Sequence, residues 1–500
     1  MGNMADIVQE NASLRNQLAS KNQRITQLES LLKQLRQQRF GSTSEKLSAD
    51  QVPLFDEAES ETDDDASAET VTVPGHTRRK QKRTSIPADL PREEIIYELS
   101  EVDQICPHDG TPLNPIGEET HEQLDIIPAQ IKVLRHIRKK YACPCCQQHL
   151  ITASKPKQPI EKSIASPGLL AYIITSKYCD ALPLYRQVEI FKRLGIVLDR
   201  SSLANWMIRC GELTQSLINR IHEQLLEQRI LHMDETPVQV LNESGKTAQS
   251  KSYMWVLSSL RNSASPAVLF HYSASRSSDI PKQQLAGYHG ALMADGYEGY
   301  RGVCDQQRLI RLGCWAHARR KFIEARQQQP KGKTGKADQA LSYIQKLYNI
   351  EREAKAFSAE QRYNLRQQRS KPILDKLRQW LDKTRQHTPP KNSLGKAAQY
   401  LDKQWSRLIC YLDDGAYPID NNRAENSIRP FVLGRKNWLF SQSQKGATAS
   451  ANLYSLIETA KLNGLEPYAY LKRVLTELPN AETLAQVDAL LPWNCKTVLG

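Results

Sequence analysis

Three carboxylates in this chain have the type and setting to hold hard divalent cations: Asp234 in RILHMDETPVQV, Asp295 in GALMADGYEGY and Glu425 in DNNRAENSIRP. Carboxylate oxygens suit magnesium or manganese, which keep several of their waters and need few protein ligands. Two such ions about 4 Å apart serve in-line attack on a phosphodiester, one at the attacking oxygen and one at the leaving oxygen. In this reading Asp234 bridges both ions, and Asp295 and Glu425 each complete one coordination shell. Taken alone, Glu425 also reads as a surface ion-pair partner of Arg429 one helical turn on. A second set of residues has zinc character. Cys143 and Cys146 in CPCC have the Cys-x-x-Cys spacing that presents two thiolates to a tetrahedral ion. Cys106 in CPHDG supplies a third, and the fourth ligand stays open between Asp109, His108 and Cys145. Cys314 and His317 form a Cys-x-x-His pair, but a zinc site there needs two further ligands that the sequence does not identify. A core-packing role is the expectation for that pair, with Arg319 and Arg320 of the basic segment facing phosphate.

The elements that must position these groups follow from periodicity. RILHMDETPVQV, SYMWVLSSL and PAVLFHYS read as three consecutive strands. A helix rich in Ser and Gln follows, then a fourth strand ending at Asp295, then a fifth strand and a basic helix in RLIRLGCWAHARRKFIEAR. That is the order of a ribonuclease H-like α/β domain. Alternation puts Asp234 on the face of Ile230, His232 and Thr236, and Glu235 on the other, so Asp234 is preferred for a shared site. Glu425 belongs to a helix following Pro418, with Asp420 as its expected N-cap. Between the second and third carboxylates lies a charged helical stretch. Its PKGKTGK loop lacks Walker spacing, which disfavours nucleotide binding.

The remaining chain suggests a nucleic-acid partner. The 500 residues carry a formal net charge of +13 with a pI near 9.1, which points to polyanions. No apolar run approaches the roughly 20 residues of a membrane span, and the N-terminus is too polar for a signal peptide, so a cytoplasmic protein is expected. Ten cysteines are too sparse for a disulfide scaffold. Heptads place Met4, Asn11, Leu18, Ile25 and Leu32 on one seam and Ile7, Leu14, Lys21, Leu28 and Leu35 on the other, a short coiled coil suited to a homo-oligomer. Acidic and then basic blocks between Ser48 and Ser85 read as a disordered linker. Arg138, Lys139 and Lys140 form a basic strand beside the zinc ligands, placed for phosphate. LPLYRQVEIFKRLGIVLDRSSLANWM resembles a helix-turn-helix broken at Gly195, with Arg200, Ser201, Ser202 and Asn205 where base edges are reached.

Together the motifs identify a family. RFGSTSEKL after the heptads, CPHDG, YACPCC, HMDETP, ADGYEGY, GCWAHARRKF and YPIDNNRAENSIRPFVLGRKNWLFS occur in the order of the insertion sequence 66 family of transposases, which the chain resembles over nearly its whole length. The resemblance implies a DDE-type enzyme with the triad on Asp234, Asp295 and Glu425. It implies magnesium-dependent cleavage and joining of double-stranded DNA ends, a zinc-binding recognition region, nucleoid association, and small accessory proteins of the same element as partners. The competing expectations are a hydrolytic ribonuclease H-like nuclease and an inactive DNA-binding regulator. The expected organisation is multidomain α/β: a coiled coil over 1–40, a linker over 41–95, a zinc-binding module over 96–155 and a helical DNA-binding region over 160–225. The catalytic domain occupies 226–326 and 415–445 around a helical insertion at 327–414, with a C-terminal helical region at 446–500. Arg429 joins Arg319 and Arg320 as an expected DNA contact.

Overall fold

The computed structural model describes residues 130–142, 150–328 and 335–495 continuously, with isolated positions nearer the N-terminus. The chain divides into two units, residues 47–135 and the remainder. In the smaller unit, β1 (Thr72–Val73) pairs antiparallel with β2 (His76–Thr77), a strand pair that the linker reading did not anticipate. The heptads lie outside the described residues apart from Gln17 and Lys21, both helical and exposed. Cys106, His108, Asp109, Cys143, Cys145 and Cys146 also lie outside them.

The larger unit has a short antiparallel pair, β3 (Lys140–Ala142) and β4 (Leu150–Thr152), near its start. Of the expected basic strand only Lys140 is extended into a ladder; Arg138 and Lys139 precede it, and all three are exposed. Four helices follow: α1 (Pro167–Tyr178), α2 (Leu184–Arg193), α3 (Arg200–Leu213) and α4 (Gln215–Leu226). Ser166 caps α1 by accepting from Leu169 N, and Pro167 supplies the preset first-turn φ. Between α2 and α3 the chain turns at Gly195, whose φ of +83° a side chain would disfavour. The expected helix pair is therefore present, with Arg200 and Asn205 exposed and Ser202 half-buried at the start of α3.

The sheet carries the site. Its strands are β5 (Ile230–Asn242), β6 (Lys251–Ser259), β7 (Val268–Ser273), β8 (Ala291–Ala294) and β9 (Ile310–Gly313), in the order β7-β6-β5-β8-β9. β5, β6 and β7 are antiparallel, whereas β8 and β9 run parallel to β5. The expected succession of strands is present; α5 (Asp279–Gln284) lies before β8, and α6 (Arg301–Gln307), which periodicity did not separate, lies before β9. Both faces are covered. Leu231, Met233, Leu292 and Ala294 join the core shared with α1–α4, while Ile230, Ala291, Met293 and Leu312 join a second core with the helices that follow β9. Each fully buried Leu or Met contributes about 1.5–3 kcal/mol, so a one-residue slip of β5 would forfeit both faces at once.

That second core is built from α7 (Trp315–Arg326), α8 (Lys336–Glu353), α10 (Lys371–Gln386) and α11 (Ser393–Ile409), with α9 (Ala359–Leu365) and a π-helical turn at Arg366–Ser370 between α8 and α10. Gly313 lets α11 approach the end of β9: a Cβ there would sit 2.9 Å from Leu408 N. Trp315 Nε1 donates to Leu408 O at 2.8 Å, so the start of α7 is fixed to the same helix. The chain returns to the sheet as α12 (Asn422–Trp438), which packs on β5 and β6. It then adds β10 (Ser441–Ser443) parallel to the far end of β5, in the last part of the expected catalytic domain. α13 (Gln444–Leu462), α14 (Pro467–Glu477) and α15 (Leu484–Asp488) complete the fold, α13 against β7 and α3.

Candidate active site

Strand register brings the two aspartates together. β5 and β8 pair as Ile230↔Ala291, Leu231↔Leu292 and His232↔Met293; two residues further on, Asp234 stands level with Asp295. Both are half-buried, at the carboxyl end of parallel pairing and on the face of Ile230 and Met293. The period-two expectation for Asp234 agrees with the observed faces. Asp295 Oδ1 accepts from Tyr297 N at 2.9 Å, which closes the turn after β8, and Arg311 Nη2 on β9 donates to Asp295 O at 3.1 Å.

Glu425 lies in the first turn of α12 and meets α7. Arg320 Nη2 is 3.3 Å from Oε2, and His317 Nδ1 is 3.6 Å from Oε1. The helix begins one residue later than expected: Asn421 is the N-cap position, while Asp420 accepts from Asn422 N at 3.1 Å and from Tyr348 OH at 2.8 Å.

Asn421 joins the three elements. Its fully buried side chain donates from Nδ2 to Met233 O at 3.0 Å, one residue before Asp234, and its Oδ1 lies 2.9 Å from His232 Nδ1. Since Nδ2 is the donor, Oδ1 must accept, which assigns the proton to His232 Nδ1. Burial holds that imidazole at about 4, so it is neutral at pH 7. Asn421 N donates to Cys314 Sγ at 3.2 Å, and Asn421 O accepts from Glu425 N at 3.1 Å. One residue thereby ties β5, the N-terminus of α7 and the helix of Glu425.

The electrostatics favour a cation. Burial pushes the Asp234 carboxyl well above its ordinary value, and the charges of Glu235, Glu425 and Asp295 push it further, opposed by the bond from Glu235 N. Glu235, on the opposite face of β5, is a fourth acid that alternation set aside. Burial raises it as well, while Tyr300 OH at 2.6 Å and Arg276 Nε at 2.7 Å stabilise its ionised form. The Arg276 guanidinium also lies 4.1 Å from the centroid of the Tyr297 ring. The charges of Glu425 and Asp295 reach the Asp234 carboxyl, and carboxylate oxygens are the donors that hard divalent ions take. Tyr300 stands in the DGYEGY motif and was legible there as an aromatic; Arg276 had no signal.

The other expected residues separate. Arg320 reaches Glu425, so part of the basic face of α7 is directed into the carboxylate cluster. Arg319 is half-buried on the same helix, and Arg429 is half-buried on α12. Arg138, Lys139, Lys140 and the residues at the start of α3 stand apart from the cluster in sequence and are not brought into it. Cys314 does pack in the core as expected, but His317 does not stop there: it turns toward Glu425.

The model of the family described as "Transposase IS66 family" matches residues 162–449, more than half of the chain. The chain belongs to the IS66 transposase family. Further models of that family match around it: the zinc-finger binding domain of transposase IS66 at 103–147, the IS66 C-terminal element at 455–493, and a region described as transposase C of IS166 homeodomain at 27–95. The transposase is also similar to uncharacterized proteins of Sinorhizobium fredii (strain NBRC 101917 / NGR234). It is 35% identical to y4jD over 447 residues, covering 87% of this chain and 86% of that one. With y4qI it shares 33% identity over 511 residues, covering 99% and 93%. A divalent-metal requirement and DNA as a partner follow from the DDE and zinc-finger assignments. Among the described residues of the transposase no helix is long and apolar enough to cross a membrane.

Proposed function

We propose that this transposase binds the terminal inverted repeats of its element, cleaves there and joins the 3'-hydroxyls to target DNA at Asp234, Asp295 and Glu425. The observation that carries this reading is the level placement of Asp234 and Asp295, with the Glu425 charge acting on the same buried carboxyl. Three antiparallel strands followed by two parallel ones, in the order β7-β6-β5-β8-β9, favour a ribonuclease H-like domain, interrupted by the helical insertion at 327–414.

Magnesium or manganese held by the three carboxylates would supply Lewis-acid activation of the attacking oxygen and neutralise charge on the leaving one. The chain's own residues do the positioning. Asn421 sets the distance between the strand of Asp234 and the helix of Glu425. Arg320 and His317 hold the Glu425 carboxylate against α7, and Tyr300 with Arg276 keeps Glu235 turned away from Asp234. Arg319, Arg320 and Arg429 are proposed phosphate contacts near the cluster. Arg200, Ser202 and Asn205 are proposed to read DNA, with Arg138, Lys139 and Lys140 on its backbone. Zinc at Cys106, Cys143, Cys146 and one of Asp109, His108 or Cys145 would order the recognition module. Self-association through the heptads, accessory proteins of the element and a nucleoid location complete the proposal.

The test is an assay with labelled element ends, target DNA and magnesium. Joined products that depend on the terminal repeats are expected. Hydrolysis without any joined species would overturn the reading in favour of a nuclease, and binding without cleavage would favour an inactive regulator.

A further inference from the structure

We propose that Cys314, His317 and Glu425 form a binding site for a soft divalent ion of the zinc class, set against the carboxylate cluster and sharing Glu425 with it. Each residue offers one ligand atom, and the three atoms lie within 4.8 Å of one another. Zinc bonds of about 2.0–2.3 Å in tetrahedral geometry require donor separations of roughly 3.3–3.6 Å. His317 Nδ1 and Glu425 Oε1 already stand 3.6 Å apart, within that range.

The site is built rather than accidental. Cys314 occupies the N-cap position of α7, fully buried, with Sγ accepting from Asn421 N at 3.2 Å. Burial and then the charges of Asp420 and Glu425 hold the Cys314 thiol well above its ordinary value, opposed by the backbone N–H groups of Asn421 and His317, so it is the arriving ion that takes the place of the proton. His317 follows three residues later, on the same side of the first helical turn. Its Nδ1 is buried without a hydrogen-bond partner, a ring nitrogen aimed at a carboxylate and left unsatisfied. Glu425 arrives from α12. A Cys-x-x-His pair alone lacks ligands; the fold supplies the third, and three protein donors leave a fourth position open, as in zinc sites that exchange a bound water.

Ligand softness separates this site from the neighbouring one. Thiolate and imidazole select zinc-class ions, whereas the all-carboxylate set of Asp234, Asp295 and Glu425 suits magnesium. Binding is an exchange that balances: the S–H bond of Cys314 breaks, its proton leaves to solvent, and a sulfur–metal bond forms. Arg320, 3.3 Å from Glu425 Oε2, gives way as the carboxylate turns to the ion. An ion here commits Glu425, so zinc inhibits DNA cleavage in the presence of magnesium; this last step rests on the proposed role of Glu425 in the triad.

The experiment uses the full chain equilibrated with zinc and freed of loosely bound metal, and counts zinc per chain. Cys314→Ser and His317→Gln are each expected to lose one equivalent relative to the parent, additively with the loss caused by Cys146→Ser in the separate cysteine cluster. Cobalt in place of zinc is expected to show weaker thiolate charge-transfer absorption in Cys314→Ser. Equal zinc content in the parent and in folded His317→Gln would overturn the site, and that half-buried position keeps the test decisive if Cys314→Ser fails to fold. Zinc titrated into a magnesium-supported cleavage assay is expected to inhibit the parent, with His317→Gln needing at least about tenfold more zinc. Loss of zinc from His317→Gln with unchanged inhibition would leave the soft-ion site standing and overturn the shared use of Glu425. The zinc count reads out whether or not the protein cleaves DNA.

Discussion

Two groups of buried charge in this transposase are resolved in opposite ways. In the π-helical turn between α9 and α10, Arg366 is 1% exposed and spends all five donors. Its Nε and Nη2 meet the two oxygens of Glu351 at 2.8 and 2.7 Å, Nη1 reaches Tyr411 O and Asp414 O, and Nη2 also reaches Tyr417 O. Around Asp234, within β5, the charges are alike, and its carboxyl answers with a raised pKa. A charge kept for the fold is saturated by its own chain, whereas one kept for a ligand is left with an unmet demand. Arg366 anchors the stretch Tyr411–Tyr417 just before the chain re-enters the sheet, so the saturated group steadies the entry of the unsaturated one.

The largest expected effect separates the two groups by readout. Asp234→Asn should lower DNA cleavage by about 10³-fold or more, on the scale of losing a principal electrostatic stabiliser, while the metal-free protein becomes more stable at neutral pH because a repelled carboxylate has gone. A fall in its melting temperature would place Asp234 with Arg366 as a structural charge. Arg366→Met should do the reverse. It should cost about 3–5 kcal/mol, the scale of a broken buried pair, with loss of activity that tracks unfolding in a urea titration. A folded Arg366→Met protein with parental stability would break the contrast.

Next in size is Asn421→Ala, which leaves Met233 O and His232 Nδ1 unpaired at about 1–3 kcal/mol. Because Asn421 spaces β5 from α12, the magnesium concentration giving half-maximal cleavage should rise as well; a stability loss with unchanged magnesium dependence would make it structural only. The smallest effect is a pH dependence. A raised Asp234 means that the folded state holds a proton which the unfolded chain releases above its ordinary 3.8. Its contribution is therefore fully present below 3.8 and is lost as pH rises through the folded value. His232 works the other way, losing stability as pH falls from 6.5 toward about 4. Subtracting the stability–pH curve of metal-free Asp234→Asn from that of the parent should leave a difference that declines as pH rises; a flat difference would mean that Asp234 is not perturbed.

Much of the site could be read in the residues, and the shortfalls share a cause. Asp234 lies within β5 and Asp295 directly follows β8, strands whose composition and alternation are local properties, so their placement needed no long-range knowledge. β10 went unread because Ser441–Ser443 has no apolar pattern; its backbone pairs with the far end of β5, a contact that the local residues do not encode. Glu235 was set aside by alternation, which reports the face of a residue and not the buried tyrosine and arginine that hold it there. The Cys314–His317 pair was left as core packing because its third neighbour lies 108 residues after His317, across the insertion.

By itself the sequence determined the succession of the strands β5 to β9 and the family to which the transposase belongs, and it nominated Asp234, Asp295 and Glu425, since these rest on periodicity and on motifs contiguous in the chain. Only the tertiary structure decided that Asp234 stands level with Asp295, that Asn421 fastens β5 to α12, and that Glu425 faces Cys314, His317 and Arg320. Those are distances between groups far apart in the chain, set by sheet register and by the packing of helices across two cores, and no local spacing encodes them.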